Sequence, residues 1–180
     1  MSPQFVERID ALVESAARGL FATHGPPLGE LRRDSGAVPA DHDIACSIGF
    51  TSPHAHGALL MTARRQLMTR SRPAELRHDA PSEHQLCDWA GELVNQLLGR
   101  VKNALAPLGL ALEQSTPTVV VGWQVHRAPA STAVARRYVF DQDGGTVAIY
   151  FDAVVAEGFA LLESPNEGLA SAAEGDVQLF

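Results

Sequence analysis

Ser82 to Leu108 reads SEHQLCDWAGELVNQLLGRVKNALAPL, and the spacing within it decides how the rest of the chain can fold. Apolar residues recur at Leu86, Trp89, Ala90, Leu93, Leu97, Val101, Ala104 and Leu105, the interval of one helix face. Ser82 with Gln85 three residues on forms a capping box that starts the helix. Pro107 and Gly109 end it, since proline cannot donate to the ladder and glycine accepts the left-handed cap. The opposite face carries Asp88, Glu92, Asn95, Gln96, Gly99 and Lys102. Glu92 and Asn95 are neighbours there, because residues three apart lie one above the other. Gly99 follows one turn later and costs the helix about 1 kcal/mol relative to Ala. On a polar face it has no core to fill, so its use is to let another backbone come close.

Working outward, the period changes on both sides of this helix. Ile44, Cys46, Ile48 and Phe50 alternate with Asp43, Ala45, Ser47 and Gly49, the pattern of a half-buried strand. Ser52 to Gly57 has turn chemistry, and Ala58 to Thr62 returns as a second strand. Arg64 to Arg70 predicts a short helix. Beyond the long helix, Leu110–Gln114 and Thr118–His126 are strand-like, with Val119, Val120 and Val121 expected to be covered on both faces. Ala133–Phe140 and Thr146–Phe151 flank Asp141-Gln142-Asp143-Gly144-Gly145, a hairpin turn signal. At the start, Ser2-Pro3 caps a helix whose stripe is Phe5, Ile9, Leu12, Val13, Ala16 and Leu20. Leu28 to Ala40 reads as a long loop. The expected fold is α+β: one domain with long helices packed on a mostly antiparallel sheet. The domain is expected over residues 1–152, followed by an acidic tail over 153–180 that could open with a short helix (Val154, Val155, Phe159, Leu162).

Composition bounds the function. In 180 residues, 46% are hydrophobic and 19% charged, ordinary globular values. The net charge of −7 argues against nucleic acid as a partner. After Arg137 there is no Lys or Arg, while eight acids from Asp141 to Asp176 follow, so the last third forms an acidic surface. Cys46 and Cys87 lie in apolar patterns and read as free thiols of a reducing cytosol. No apolar run approaches the ~20 residues of a membrane span, and the first residues lack a secretory signal. A cytoplasmic protein is expected.

The segment Asp88-x-x-x-Glu92-x-x-Asn95-x-x-x-Gly99, followed by Ser115-Thr116-Pro117-Thr118 and Val119-Val120-Val121-Gly122, resembles the CheX type of the CheC/CheX/FliY chemotaxis phosphatases. That family acts on the phosphorylated response regulator CheY, and its motif of acid, Glu, Asn and a later proline falls on Asp88, Glu92, Asn95 and Pro117. CheC and FliY resemble two fused copies of the motif. Here the N-terminal helix offers only Glu7 and Asp10 at the comparable spacing, with no amide, which favours the homodimeric CheX type. The resemblance implies a phosphatase of a CheY-like receiver, with Glu92 and Asn95 catalytic. It implies that Asp88, Gln96, Gly99, Lys102 and Pro117 meet the partner. It implies no cofactor of the protein's own, the Mg2+ belonging to the receiver.

The residue types suit that chemistry. An aspartyl-phosphate is hydrolysed by in-line attack of water, and what a receiver lacks is a group to hold that water. An amide both donates and accepts, so Asn95 can orient water at any ordinary pH, as a glutamine does in small GTPases. Glu92 would pair with the receiver's lysine and fix the docking register. The rival reading is a non-catalytic module of the same fold that docks a receiver or a signalling scaffold. His54 and His56, with His42, Asp43 or His78, could be read as metal ligands, but no specific Cys/His spacing supports this, and none is expected. Arg64, Arg65, Arg70, Arg72 and Arg77 read as a solvated basic face. Dimerisation is expected through a sheet edge, at Ala133–Phe140 or Thr146–Phe151, unless Arg136 and Arg137 guard that edge.

Overall fold

Helices cover one face of a single antiparallel sheet in the structure, a computed structural model that describes residues 3–25, 27–33, 42–122, 125, 134–142 and 145–163. Helix α1 spans Pro3–His24. Strands β1 (Leu31–Arg32), β2 (Ile44–Thr51) and β3 (Ala55–Ala63) follow. Then come α2 (Arg65–Arg70) and α3 (Glu83–Leu105). Strands β4 (Glu113–Gln114), β5 (Thr118–Val121), β6 (Val134–Gln142) and β7 (Gly145–Val155) complete the fold. The strand order is β1-β6-β7-β3-β2, with β4 and β5 both pairing with β2. Ser2, the loop residues 34–41, the turn residues 143–144, His126, Ala133 and the tail from position 164 lie outside the described residues.

Register explains the core. Val119, Cys46, Met61, Ile149 and Tyr138 are consecutive partners across β5, β2, β3, β7 and β6, and all belong to the core under the helices. One residue away in the same register, Val120, Ala45, Thr62, Ala148 and Val139 point to the other face. There Val139, Ala148 and Tyr150 form a separate small cluster with Leu60 against it. Val120 is 52% exposed while Val119 and Val121 are half-buried. The three valines therefore alternate, contrary to the expectation of cover on both faces, because β5 pairs only with β2 and lies at the sheet's margin.

The helix ends are set by the residues that the sequence singles out. The Ser82 hydroxyl accepts from the Gln85 backbone, and the Gln85 side chain accepts from the Ser82 N–H at 2.9 Å. After a 3-10 turn, Gly109 adopts φ 86° and closes the C-terminus. The buried face of α3 is wider than the simple stripe, since Gly91, Val94 and Leu98 are buried as well. Packing against α1 on one flank and β2 and β5 below requires that width.

Two expectations about the sheet change. Strand β7 lies between β3 and β6, so Thr146–Phe151 is interior and cannot be an edge. Arg136 is no edge guard either: its guanidinium grips Asp10 of α1 through Nε and Nη2, and Tyr138, two residues on, donates to the same carboxylate at 2.7 Å. Val154 and Val155, expected to open a helix, continue β7 opposite His56 and Ala55. Residues 156–163 run back over the body, where the Leu162 N–H donates to the Leu108 carbonyl at 3.0 Å and Phe159 stacks on His54.

Candidate functional site

The outward face of α3 runs between two neighbours, the C-terminal end of α1 and the short strand β4. Each sends one side chain onto it. His24, the last residue of α1, shares a 2.7 Å hydrogen bond between its Nε2 and the Gln96 side-chain oxygen. Gln96 in turn donates its Nε2 to Glu92 Oε1 at 2.7 Å, one helical turn away. From the other side, Gln114 of β4 donates its Nε2 to Asn95 Oδ1 at 2.7 Å. Glu92 and Asn95 therefore sit at the centre of the face, each oriented by a neutral amide.

Both flanks are themselves held in place. The His24 ring meets Trp89 edge-on at 5.1 Å, and the Trp89 indole N–H donates to the Ser71 hydroxyl at 3.0 Å. Trp89 thus lies at the shoulder of α3 rather than in its buried stripe, joining α1, α3 and the end of α2. On the other flank, the β4 backbone pairs with Phe50 and Thr51 of β2. The next residue, Ser115, exchanges backbone and side-chain hydrogen bonds with Gly49, both at 2.9 Å. Beside Gln114 an open hollow of about 400 Å³ lies between Phe50, Thr51, His56 and Glu113.

Other residues named from the sequence are distributed around this centre. Asp88 is exposed one turn before Glu92 and pairs with His84 at 3.4 Å. Gly99 stands one turn beyond Asn95, and a methyl group built there would meet nothing within 4 Å. Lys102 is half-buried a turn further on. Pro117 lies under the helix at Gly91, where an added methyl would touch it at 3.7 Å and Val119 at 3.6 Å. Gly91 stands one turn before Asn95, so half-buried Pro117 packs on the flank of α3 that also carries Asn95.

The strongly shifted titrating groups lie away from this face. Burial alone would raise the Asp10 carboxyl, but hydrogen bonds from Arg136 and Tyr138 and the nearby guanidinium hold it below its ordinary range. His42 is buried on the opposite side of the sheet, between the hydroxyls of Thr62 (2.8 Å) and Thr146 (2.9 Å). Desolvation pushes it down to about 4. Burial pushes the Cys46 thiol up to about 12, and Cys87 is half-buried and, like Cys46, a free thiol. Among the described residues no group of three His, Cys, Asp or Glu could hold a metal. The basic run is used locally: Arg65 pairs with Glu83, buried Arg72 donates to the Asp79 carbonyl, and Arg77 reaches the carbonyls of Arg72 and His24.

The profile of the family described as "Chemotaxis phosphatase CheX" matches residues 44–141, which run from the start of β2 through α3 to all but the last residue of β6. The chain belongs to the CheX family. Solved structures share its fold. A chemotaxis protein CheX from Desulfovibrio desulfuricans is 21% identical, with 81% of this chain and 99% of that one covered and a TM-score of 0.69. A CheC-like superfamily protein from Shewanella sp. PV-4 is 22% identical, with 85% and 99% covered and a TM-score of 0.67. A chain from the CheX–CheY–BeF3–Mg2+ complex of Borrelia burgdorferi is 12% identical, with 83% and 97% covered and a TM-score of 0.60. Among curated proteins no sequence matches this chain. Among the described residues no helix is long and apolar enough to cross a membrane.

Sequence reading placed Glu92, Asn95, Gln96 and Gly99 on one face, and they share it. It missed His24 and Gln114, which reach that face from other elements. Leu110–Gln114 reads as strand-like, but nothing in that pattern ties Gln114 to a helix residue 19 positions earlier.

Proposed function

We propose that the protein hydrolyses the aspartyl-phosphate of a CheY-like receiver, with Asn95 orienting the attacking water and Glu92 pairing with the receiver's lysine. The observation that carries this reading is the outward pair itself: Glu92 and Asn95 stand one turn apart, each fixed by an amide, on an outward face of α3 in a CheX-family fold. In the reaction the water oxygen attacks phosphorus, and the bond from phosphorus to the receiver's aspartyl oxygen breaks. Inorganic phosphate leaves, the aspartate recovers its carboxylate, and the water's proton passes to phosphate or solvent. The receiver supplies Mg2+, which neutralises phosphoryl charge. This chain's part is positioning.

Asn95 is suited to that part because an amide keeps its hydrogen-bonding capacity across ordinary pH. Positioning in this sense contributes to rate by holding water near the line of attack rather than by adding charge. Glu92 contributes a charge-assisted contact that fixes the docked register. Asp88 extends the same negative edge, and the open space at Gly99 admits the partner's loop. The active form is a homodimer in the cytoplasm, and sedimentation at micromolar concentration tests the assembly. The activity is tested by phosphate release from a panel of phosphorylated receivers. A rate above each receiver's own hydrolysis is expected for at least one of them, and a protein that binds but never accelerates release would be a docking module instead.

A further inference from the structure

We propose that Gln114 is a positioning residue for this reaction: it fixes the Asn95 side-chain amide in one orientation, so that water always meets the same end of it. The inference rests on the phosphatase reading above and adds to it a residue from outside the motif helix. Asparagine's terminal torsion is broad and two-fold, so its oxygen and nitrogen ends exchange places at little steric cost. The two ends have opposite hydrogen-bonding sign. An unsupported Asn95 would present the wrong end of its amide for part of the time, and each such encounter would be unproductive.

Gln114 removes that ambiguity by giving an N–H to Asn95 Oδ1 at 2.7 Å. The oxygen is turned toward the sheet, and the Asn95 N–H2 group is left for the outward side. For such a contact to position anything, Gln114 must itself be held. It is: its backbone pairs with Phe50, and its neighbour Ser115 is fixed to Gly49 through both a backbone and a hydroxyl contact at 2.9 Å. The chain runs from α3 through the Gly109 cap directly into this anchored segment, so helix and strand carry the two amides at a fixed separation. The clamp on Glu92 is different in kind, because Gln96 lies on the same helix and any i, i+4 pair can make it. Among the described residues, the Gln114 contact is the side-chain hydrogen bond that ties Glu92 or Asn95 to the sheet. Its neutrality also matters: a glutamate at 114 has no N–H to give, and would take the Asn95 N–H2 as partner and turn Oδ1 outward.

The test uses the full chain and the receiver on which the wild type is most active. Gln114→Met keeps the length and removes the donor, on an exposed two-residue strand where folding does not depend on the side chain. Expected is a fall in kcat of roughly tenfold, the scale of one lost hydrogen bond, with KM and binding to the phosphate-mimic receiver unchanged. In an Asn95→Ala background the same substitution should have no further effect, because the group that it positions is gone. Gln114→Glu should lose at least as much as Gln114→Met. An unchanged kcat, a loss confined to KM, or an equal loss in the Asn95→Ala background would overturn the inference while leaving the phosphatase reading intact. A wild type inactive on every receiver would instead remove the reading and this inference together.

Discussion

Two polar networks hold α1 and α3 to their neighbours, and they are built in opposite ways. On α1, Asp10 is buried and charged, gripped by Arg136 and Tyr138 from β6. On α3, Glu92 and Asn95 lie at the surface and are held by neutral amides from Gln96 and Gln114. A buried charge must be paired wherever it is, so the first network is committed to the fold and is costly to break. The second lies at the surface, where Glu92 can exchange its contact with Gln96 for one to a partner at little net expense, because water or another protein can replace it. Polarity that is sealed in serves stability, and polarity that is merely steadied is available for recognition.

This contrast makes predictions that descend in size. Arg136→Met, which leaves the Asp10 carboxylate without its main partner, should cost about 3 kcal/mol and lower Tm by several degrees in thermal unfolding. Equal stability would mean that Tyr138 alone suffices. The pH dependence of stability has a comparable scale. His42 is held near 4 in the fold against 6.5 when exposed, so the unfolded chain binds the proton first as pH falls. The His42 contribution is complete above 6.5 and is lost down to about 4, by up to roughly 3 kcal/mol. The depressed Asp10 carboxyl adds a further loss below its ordinary value of 3.8. His42→Gln should flatten the first part of that profile in denaturant titrations from pH 7 to 4.

Smaller effects belong to the recognition network. Gly99→Ala has free space around it and should stabilise the free protein by up to about 1 kcal/mol. The same change should weaken receiver binding if a partner's backbone approaches there, and unchanged affinity would remove that role. Deleting residues 164–180 should leave Tm within about a degree, because the segment has few large apolar side chains to offset the entropy of ordering it.

The same contrast explains what was legible in the sequence. Helix α3, its capping box and its two faces follow from local spacing, as do β2 and the β6–β7 pair. Glu92 and Asn95 were legible because helical period puts them together. Asp10 was read as a weak echo of the motif, although its partners are 126 and 128 residues away and only the register of β6 reveals them. Arg136, read as a possible guard at a free edge, faces the helices because strand alternation puts it on the side of Tyr138. Val120 misled because three consecutive valines carry no period, and only the margin position of β5 decides which one is exposed. Gln114 and His24 were illegible for the same reason: a long-range contact between polar side chains leaves no local pattern.

The most direct test separates turnover from binding in Asn95→Ala. Asn95 is only half-buried and alanine favours a helix, so the variant should melt within about 0.5 kcal/mol of the wild type. Glu92→Ala, measured beside it, should lose affinity for the receiver and make what remains less salt-sensitive. Asn95→Ala should bind a receiver locked with a phosphate mimic as the wild type does, yet release phosphate at least roughly 100-fold more slowly. Full activity in Asn95→Ala, on a receiver that the wild type dephosphorylates, would contradict the account.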